Sequence, residues 1–327
     1  MTLLVTGSAG HLGEALMRTL RAQGRAVRGI DRKASAYTDA VGDIADATFV
    51  RRCMDGVDAV LHTATLHKPH VATHTDADFI ATNVSGTLNL LEAATAAGVR
   101  AFVFTSTTST FGAALTPAAG EAAAWISEDV QPVPRNIYGV SKLAAEGLCE
   151  LFHRRQCLPV IVLRTSRFFP EDDDNSATRS RYSTANAQAN ELLYRRADIE
   201  DVVTAHLCAL QRAAALGYGR YIVSATAPFG TSDLAALRHD APAVIARLYP
   251  GQPALYAAQG WMMFPGFDRV YVNTAARAAL GWQPKYDYAH VLACLRAGRD
   301  FRSRLAIEVG AKGYHDTVFA EGPYPVA

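Results

Sequence analysis

Cysteine is scarce and unpatterned: Cys53, Cys149, Cys157, Cys208 and Cys294 are scattered, odd in number and include no Cys-x-x-Cys pair. This argues against a disulfide framework and predicts inert, small apolar cysteines in a reduced, cytoplasmic chain. Missing too is any uninterrupted apolar run of the roughly eighteen residues that a bilayer-crossing helix needs. Residues 2–6 already read as a strand, so neither secretion nor membrane spanning is expected. An excess of one charge is also absent, because 32 basic residues face 31 acidic ones with no long basic block. That balance gives no electrostatic case for nucleic acid as a partner. No internal repeat is present, and no low-complexity segment beyond short alanine-rich runs. What remains is 327 residues, 50% apolar and 19% charged, enough for a substantial core in one large or two interlocked globular units.

The chain is organised around its first thirty-one residues. An apolar run, Leu3-Leu4-Val5-Thr6, meets a glycine-spaced turn, Gly7-Ser8-Ala9-Gly10-His11-Leu12-Gly13. An amphipathic helical run over 14–23 follows, then Val27-Arg28-Gly29-Ile30-Asp31, apolar and closed by an acid. Strand, helix and strand in this order are the pattern of a dinucleotide site. Gly7 can turn sharply, Gly10 admits a pyrophosphate close to the backbone, and Gly13 lets the helix sit close to the sheet. The phosphates would face the amides and positive end of that helix. Asp31 stands 24 residues after Gly7, where a carboxylate accepts hydrogen bonds from the adenosine ribose and repels a 2′-phosphate. NAD is therefore favoured over NADP, although the adjacent Arg32 and Lys33 could receive a phosphate.

Further along, a helix is expected over 46–54, a buried strand over 59–62 and a helix over 83–97 with Leu88, Leu91 and Ala94 on one face. A strand over 101–104 runs into Thr105-Ser106-Thr107-Thr108-Ser109, Pro132 and Pro134 stop regular structure, and a long helix over 138–153 leads to a strand over 160–163. This alternation predicts an α/β fold, a doubly wound parallel sheet (Rossmann) with a smaller C-terminal substrate-binding lobe. The expected division is 1–165 for cofactor binding, with 195–225 returning to it, and 166–194 with 226–327 for the substrate lobe and tail. Within the latter part, Asp201 is expected to cap a helix over 202–215, residues 220–223 to form a returning strand, and Asn273 to cap a helix ending at Gly281. The tail carrying Gly310, Gly313, Gly322, Pro323 and Pro325 reads as a loop or arm rather than a helix.

Tyr138-Gly139-Val140-Ser141-Lys142 carries the chemistry. On a helix the phenol and the ammonium, four residues apart, share a face and can act on one site. An unperturbed phenol titrates near pH ~10, and a neighbouring cation favours its phenolate, so Lys142 would make Tyr138 a usable acid or base. Such a relay suits hydride chemistry, in which the hydroxyl proton leaves together with the carbinol hydride. A hydroxyl at the end of the preceding strand, Thr107 or its neighbours Ser106 and Thr108, would fix the substrate oxygen.

Taken together, these motifs give a chain that resembles the extended short-chain dehydrogenase/reductases, the group called the NAD-dependent epimerase/dehydratase family. The resemblance is carried by Thr6 to Gly13, Gly42-Asp43-Ile44, Leu61-His62-Thr63-Ala64, Asn83-Val84-Ser85-Gly86-Thr87, Phe104-Thr105-Ser106-Thr107, Tyr138-x-x-x-Lys142 and Leu280-Gly281-Trp282-Gln283-Pro284. It implies NAD as cofactor, with Thr107, Tyr138 and Lys142 as the catalytic trio. The implied cofactor contacts begin with Gly7, Gly10, His11, Leu12, Gly13, Asp31 and Arg32. Asp43 and Ile44 would touch the adenine, His62, Ala64, Thr65 and Thr105 would lie along the dinucleotide, and Asn83 would support the site together with Tyr138 and Lys142. By resemblance alone the chain pairs as a homodimer. Phe111-Gly112 stands where the family commonly has tyrosine and glycine, so a hydroxyl is lost there.

Only about 37 residues separate Arg164 from Asp201, a shorter interval than in relatives that bind a nucleotide-sugar, whose uracil- and diphosphate-binding patterns are absent from 166–195. A small-molecule substrate is therefore expected, polar and hydroxylated. Arg167 is the best-placed residue to clamp a substrate anion, against the default of a structural arginine. His67, His70 and His74 are read as solvated or substrate-facing, with no metal assigned, since Pro69 interrupts helical ligand spacing. The acidic run 171–174 is read as solvated, with a flap beside the substrate as its sharper alternative. Trp261, Met262, Met263 and Phe264 are assigned to the smaller lobe's core. The expected activity is hydride transfer at a secondary alcohol or ketone. An epimerase or dehydratase that oxidises only transiently, and a non-catalytic NAD(H)-sensing protein, are the alternatives.

Overall fold

The computed structural model describes residues 1–313 and 319, so the tail reading at Gly322, Pro323 and Pro325 lies outside the described residues. Four buried residues form β1 (Leu3–Thr6), followed by α1 (His11–Ala22) and β2 (Val27–Asp31). After β3 (Ala40–Val41) come α2 (Ala47–Cys53), which Asp46 caps through the amides of Thr48 and Phe49, and β4 (Ala59–His62). Then α3 (Asp76–Phe79), a π-helical turn (Ile80–Ser85) and α4 (Gly86–Ala96) run on to β5 (Ala101–Thr107). The short β6 (Ala124–Ile126) precedes α5 (Ile137–Gln156) and β7 (Val160–Thr165). Next are α6 (Ser176–Arg181), α7 (Thr184–Glu191), α8 (Ile199–Leu216) and β8 (Tyr218–Val223).

All seven long-sheet strands are parallel, in the order β3-β2-β1-β4-β5-β7-β8. This is the doubly wound arrangement expected, and it opens a crevice beyond the strand ends where the order reverses around β1. Apolar runs such as Leu3-Leu4-Val5 and Val160-Ile161-Val162-Leu163 are buried on both faces, as parallel strands covered by helices must be. Leu16 and Leu20 of α1 pack with Val202 and Ala209 of α8 on one face. On the other, Leu90 and Leu91 of α4 meet Ala145 and Cys149 of α5.

The remaining described elements are α9 (Leu234–His239), α10 (Ala241–Leu248), α11 (Gln252–Gln259), β9 (Arg269–Tyr271), α12 (Thr274–Leu280), α13 (Tyr288–Arg296) and α14 (Arg304–Val309). β9 pairs in parallel with β6 as a separate two-stranded sheet. Phe264, Phe267, Tyr256 and Tyr288 centre a second apolar core, against which Trp261 and Met263 pack, whereas Met262 is exposed. Among the described residues, no helix is long and apolar enough to cross a membrane.

Several local expectations are corrected. Asp198, not Asp201, caps α8, accepting from the Glu200 amide at 2.8 Å. Asp201 instead accepts from the backbone amides of Lys285 and Tyr286, both at 2.9 Å, contacts that a local capping rule cannot register. Asn273 stands immediately before α12 without capping it through its side chain, because its amide donates to Ser224 O and Thr226 Oγ1. The helix over 83–97 begins earlier, at Asp76, and buries Leu90, Leu91 and Ala94 while Leu88 is half-buried. β5 continues through Thr107, so Thr105, Ser106 and Thr107 belong to the strand itself, while Thr108 and Ser109 lie in the 3-10 turn that follows.

Candidate functional site

The turn after β1 is built for close approach. Gly7 has φ +72°, and a Cβ there would sit 2.8 Å from the backbone of Ala64. At Gly13 a Cβ would lie 1.9 Å from the Gly7 carbonyl, so the helix is pressed against its own entry turn rather than only against the sheet. Gly10, at the head of α1, offers no side-chain cap, which leaves the helix end to an outside partner. Asp31, at the end of β2, accepts from the amides of Ala9 (3.0 Å) and Lys33 (2.8 Å), which aim its carboxylate while lone pairs remain for ribose hydroxyls. Gly7, Gly10, His11, Leu12, Gly13, Asp31 and Arg32 all line one open cleft of about 1180 Å³. Ile44, Ala64, Thr65, Thr105, Thr107, Tyr138 and Arg167 line it too.

Four expected contacts are not among the residues that line this cleft. Asp43 turns to the Ala45 amide and to Arg32, 3.4 Å away. His62 is buried between Thr6 Oγ1 (2.7 Å at Nδ1) and Thr87 Oγ1 (2.9 Å at Nε2). Because the Thr87 hydroxyl donates to Asn83 O, Nε2 must carry the hydrogen, and Thr6 donates to Nδ1 while accepting from the amides of Thr63 and Ala64. Burial holds His62 well below its usual range, so it is a neutral strut for the loop after β4. Asn83, inside the π-helical turn, holds Leu66 by both its N–H and its carbonyl and donates to Ser141 Oγ at 2.9 Å. Ser141 in turn donates to Tyr138 O, which ties that loop to the helix carrying the phenol.

Lys142 is the fourth. It is 2% exposed, and its ammonium lies 4.0 Å from the centre of the Phe104 ring. Burial draws it down to about 7, partly opposed by Cys149 and Glu146. Tyr138 is anchored among Leu66 and Phe79, and burial pushes its phenol up to about 12 against a hydrogen bond from Thr107. The structure thus places Thr107 and Tyr138 on one cleft, but Lys142 is not among the causes that move the phenol. Helical spacing gave the shared face; the apolar surroundings of both groups set their titration. Of the neighbouring hydroxyls, Ser106 is committed to Glu146 Oε1 at 2.5 Å and Thr105 to His206 Nε2 at 2.8 Å.

The acidic run is not merely solvated. Glu171 bonds His11 Nε2 (2.7 Å), Asp174 bonds Lys68 (2.5 Å), and Asp173 bonds Arg167 (2.6 Å), so the loop spans from the glycine turn to the segment after β4. Arg167 borders the cleft with its guanidinium already on Asp173, the Asp172 carbonyl and Glu191, as befits a structural arginine. Asp174 lines the cleft, on the side of the flap alternative, whereas Lys68 and Lys312, which line it too, have no counterpart among the sequence expectations; Lys312 bonds Glu14 from 298 residues away, a separation no sequence window spans. Burial alone would raise the Glu191 carboxyl, but Arg167, Arg195 and Arg196 hold it at about 2. Its folded value lies below the ordinary 4.5, so its contribution is complete above pH 4.5 and is lost as pH falls toward 2. Over that window wild type should lose on the order of 3 kcal/mol that Glu191→Gln does not. Urea titrations at stepped pH check this, and equal acid slopes for the two proteins would refute it.

A parallel sheet with its order reversing at a glycine turn, an acid at the end of β2 and a threonine and a tyrosine lining one cleft beyond the end of β5 define a dinucleotide-binding protein of the short-chain dehydrogenase/reductase superfamily. The model of the NAD dependent epimerase/dehydratase family matches residues 3–224. The chain belongs to that family, which is NAD-dependent, and the glycine turn and Asp31 fit this dinucleotide. It is 36% identical over 198 residues to a dTDP-glucose 4,6-dehydratase of Streptomyces griseus, covering 52% of this chain and 56% of that one. It is 26% identical over 352 residues to a UDP-glucose 4-epimerase of Azospirillum brasilense, covering 95% and 94%. Among the first curated relatives it matches, the chain spans between 32% and 56% of their length. A short-chain dehydrogenase/reductase superfamily protein from Agrobacterium tumefaciens, solved with bound NAD, superposes with a TM-score of 0.64 at 26% identity, over 94% of this chain and 99% of that one.

Proposed function

We propose that the chain is an NAD-dependent oxidoreductase acting at a secondary alcohol or ketone of a small polyhydroxylated substrate, such as a sugar, sugar acid or hydroxy acid. The observation that carries this reading is that Thr107 and Tyr138 line the same cleft as Asp31, with the strand of Thr107 three strands across the sheet from that of Asp31. Bound NAD supplies the two-electron chemistry. Asp31 accepts the adenosine ribose hydroxyls, Thr107 orients the substrate oxygen, and Tyr138, which keeps its proton at neutrality, exchanges it with that oxygen. Lys142 places a positive charge one turn along the same helix face, and the described residues of 166–194 and 226–313 are assigned to the substrate side.

A second reading, epimerase or dehydratase, is favoured by the names of the Streptomyces and Azospirillum relatives. Incubation with NAD and a panel of sugars, uronates, hydroxy acids and nucleotide-sugars separates the two. Net NADH absorbance supports the dehydrogenase, whereas an altered sugar without NADH supports the second reading. NAD binding by calorimetry with no turnover of any substrate would leave the sensing protein.

A further inference from the structure

Three arginines are buried among the described residues, and their counter-charges differ in kind. Arg164 is gripped at two nitrogens by the buried Glu146, and Arg196 lies 2.9 Å from the buried Glu191. Arg269, on β9, pairs instead with its neighbour Asp268, Nε to Oδ2 at 3.3 Å, and that carboxylate is 49% exposed where the arginine side chain is 8% exposed. Its Nη1 donates to Gly112 O at 3.2 Å. Even with the nearby Tyr271 hydroxyl as a third acceptor, two of the five guanidinium N–H groups are left over. Arg269 lines the cleft, as do Gly112, Asp268 and Tyr271. A buried cation whose counter-charge sits largely in water, with donors to spare on a cleft wall, calls for an anion from outside.

The place of Arg269 decides whose anion that is. Gly112 stands five residues after Thr107 and bridges to Val133, five residues before Tyr138. The guanidinium therefore meets the segments that leave β5 and lead into α5, at the end of the cleft that carries Thr107 and Tyr138. The phosphates of a dinucleotide belong to the glycine turn after β1, two strands from β5, so they are not the anion in question. What remains is the substrate, and the planar guanidinium fork matches a carboxylate or a phosphate through parallel N–H bonds. We infer that Arg269 binds the anionic group of the substrate, so that the site takes a sugar acid or sugar phosphate in preference to a neutral sugar. This narrows the hydride-transfer reading proposed above and rests on it.

Initial rates with NAD and neutral aldoses, the matching uronates and the matching sugar phosphates test it in wild type, Arg269→Lys and Arg269→Met. Wild type should show a lower KM for one anionic set than for the neutral sugars, and which set it is identifies the source of the charge. Arg269→Met should raise that KM about 10- to 100-fold, with kcat changed much less and the KM for neutral sugars unmoved. Arg269→Lys, which keeps the charge and loses the fork, should fall between the two. The melting temperature of Arg269→Met should stay near wild type, because the acid left behind is already half in water. A wild type indifferent to substrate charge, or an unchanged anion KM in Arg269→Met, overturns the inference alone. Equal rises in KM for charged and neutral sugars with a lower melting temperature also overturn it, since they mark a structural arginine. If no sugar is turned over, the hydride-transfer reading falls, and calorimetric titration of the same sugars into NADH-loaded enzyme decides the rest. An anion preference that Arg269→Met abolishes then upholds the role of Arg269, and the lack of one sinks it.

Discussion

Tyr138→Phe should lower turnover by about 10²- to 10⁴-fold, the range for losing positioned acid-base help, while NAD binding by calorimetry stays near wild type. The separation follows from where the parts of this side chain sit. The ring is held by Leu66 and Phe79, with Val71 and Ile137 against it, and phenylalanine keeps all of that apolar packing. The substitution removes only the phenol oxygen, on a side chain that lines the cleft beside Thr107. Melting temperature should therefore move little, so the loss is chemical rather than structural. Burial holds the phenol near 12, which makes Tyr138 a proton donor at neutral pH in the direction of ketone reduction. In the oxidative direction it must first yield its proton, and a positive charge brought closer than the present Lys142 position over Phe104 would ease that step. Lys142→Met should accordingly impair oxidation more than reduction. Near-normal turnover of Tyr138→Phe in both directions would falsify the proton-transfer role.

The parts of this site legible in the sequence were those governed by local rules. Gly7, Gly13 and Asp31 lie within one strand–helix–strand unit, where turn geometry and strand length fix their relative placement. The i, i+4 relation of Tyr138 and Lys142 is likewise a property of one helix, α5. Burial is not, and it was burial that left the phenol protonated and the ammonium against Phe104. The acidic run illustrates the same limit. Composition makes residues 171–174 a solvated loop, yet their partners His11, Lys68 and Arg167 come from three other stretches of chain. Asp198 and Asp201 are equivalent as helix-start acids, and only the distant amides of Lys285 and Tyr286 decide between them. The π-helical turn holding Asn83 also left no periodic signal, because its extra residue breaks the 3.6-residue repeat by which helices are read.

Glu146→Ala should destabilise the protein by about 3–5 kcal/mol, a fall in melting temperature on the order of 10 °C. Glu146 and Arg164 are each 1% exposed and joined by two short contacts, Nη2 to Oε2 at 2.7 Å and Nε to Oε1 at 3.0 Å. Oε1 also accepts from Ser106, and the guanidinium lies 4.9 Å from the Phe111 ring centre. Truncating the acid leaves a buried cation with no counter-charge and the Ser106 hydroxyl without its acceptor. Glu146→Leu with Arg164→Met removes both charges at similar volume and should recover most of the lost stability, because the desolvation cost of the pair disappears with it. Activity should not recover in parallel. The three side chains tie β5, β7 and α5 together at the strand ends, and β5 and α5 carry Thr107 and Tyr138. Glu146 also supports the charge of Lys142 one turn away, so its loss moves the lysine further toward the neutral amine. Differential scanning calorimetry of the single and double variants, beside their turnover, checks both claims. A single variant melting within a couple of degrees of wild type, or a double variant as active as wild type, would show that this buried pair neither holds the strand ends nor serves the site.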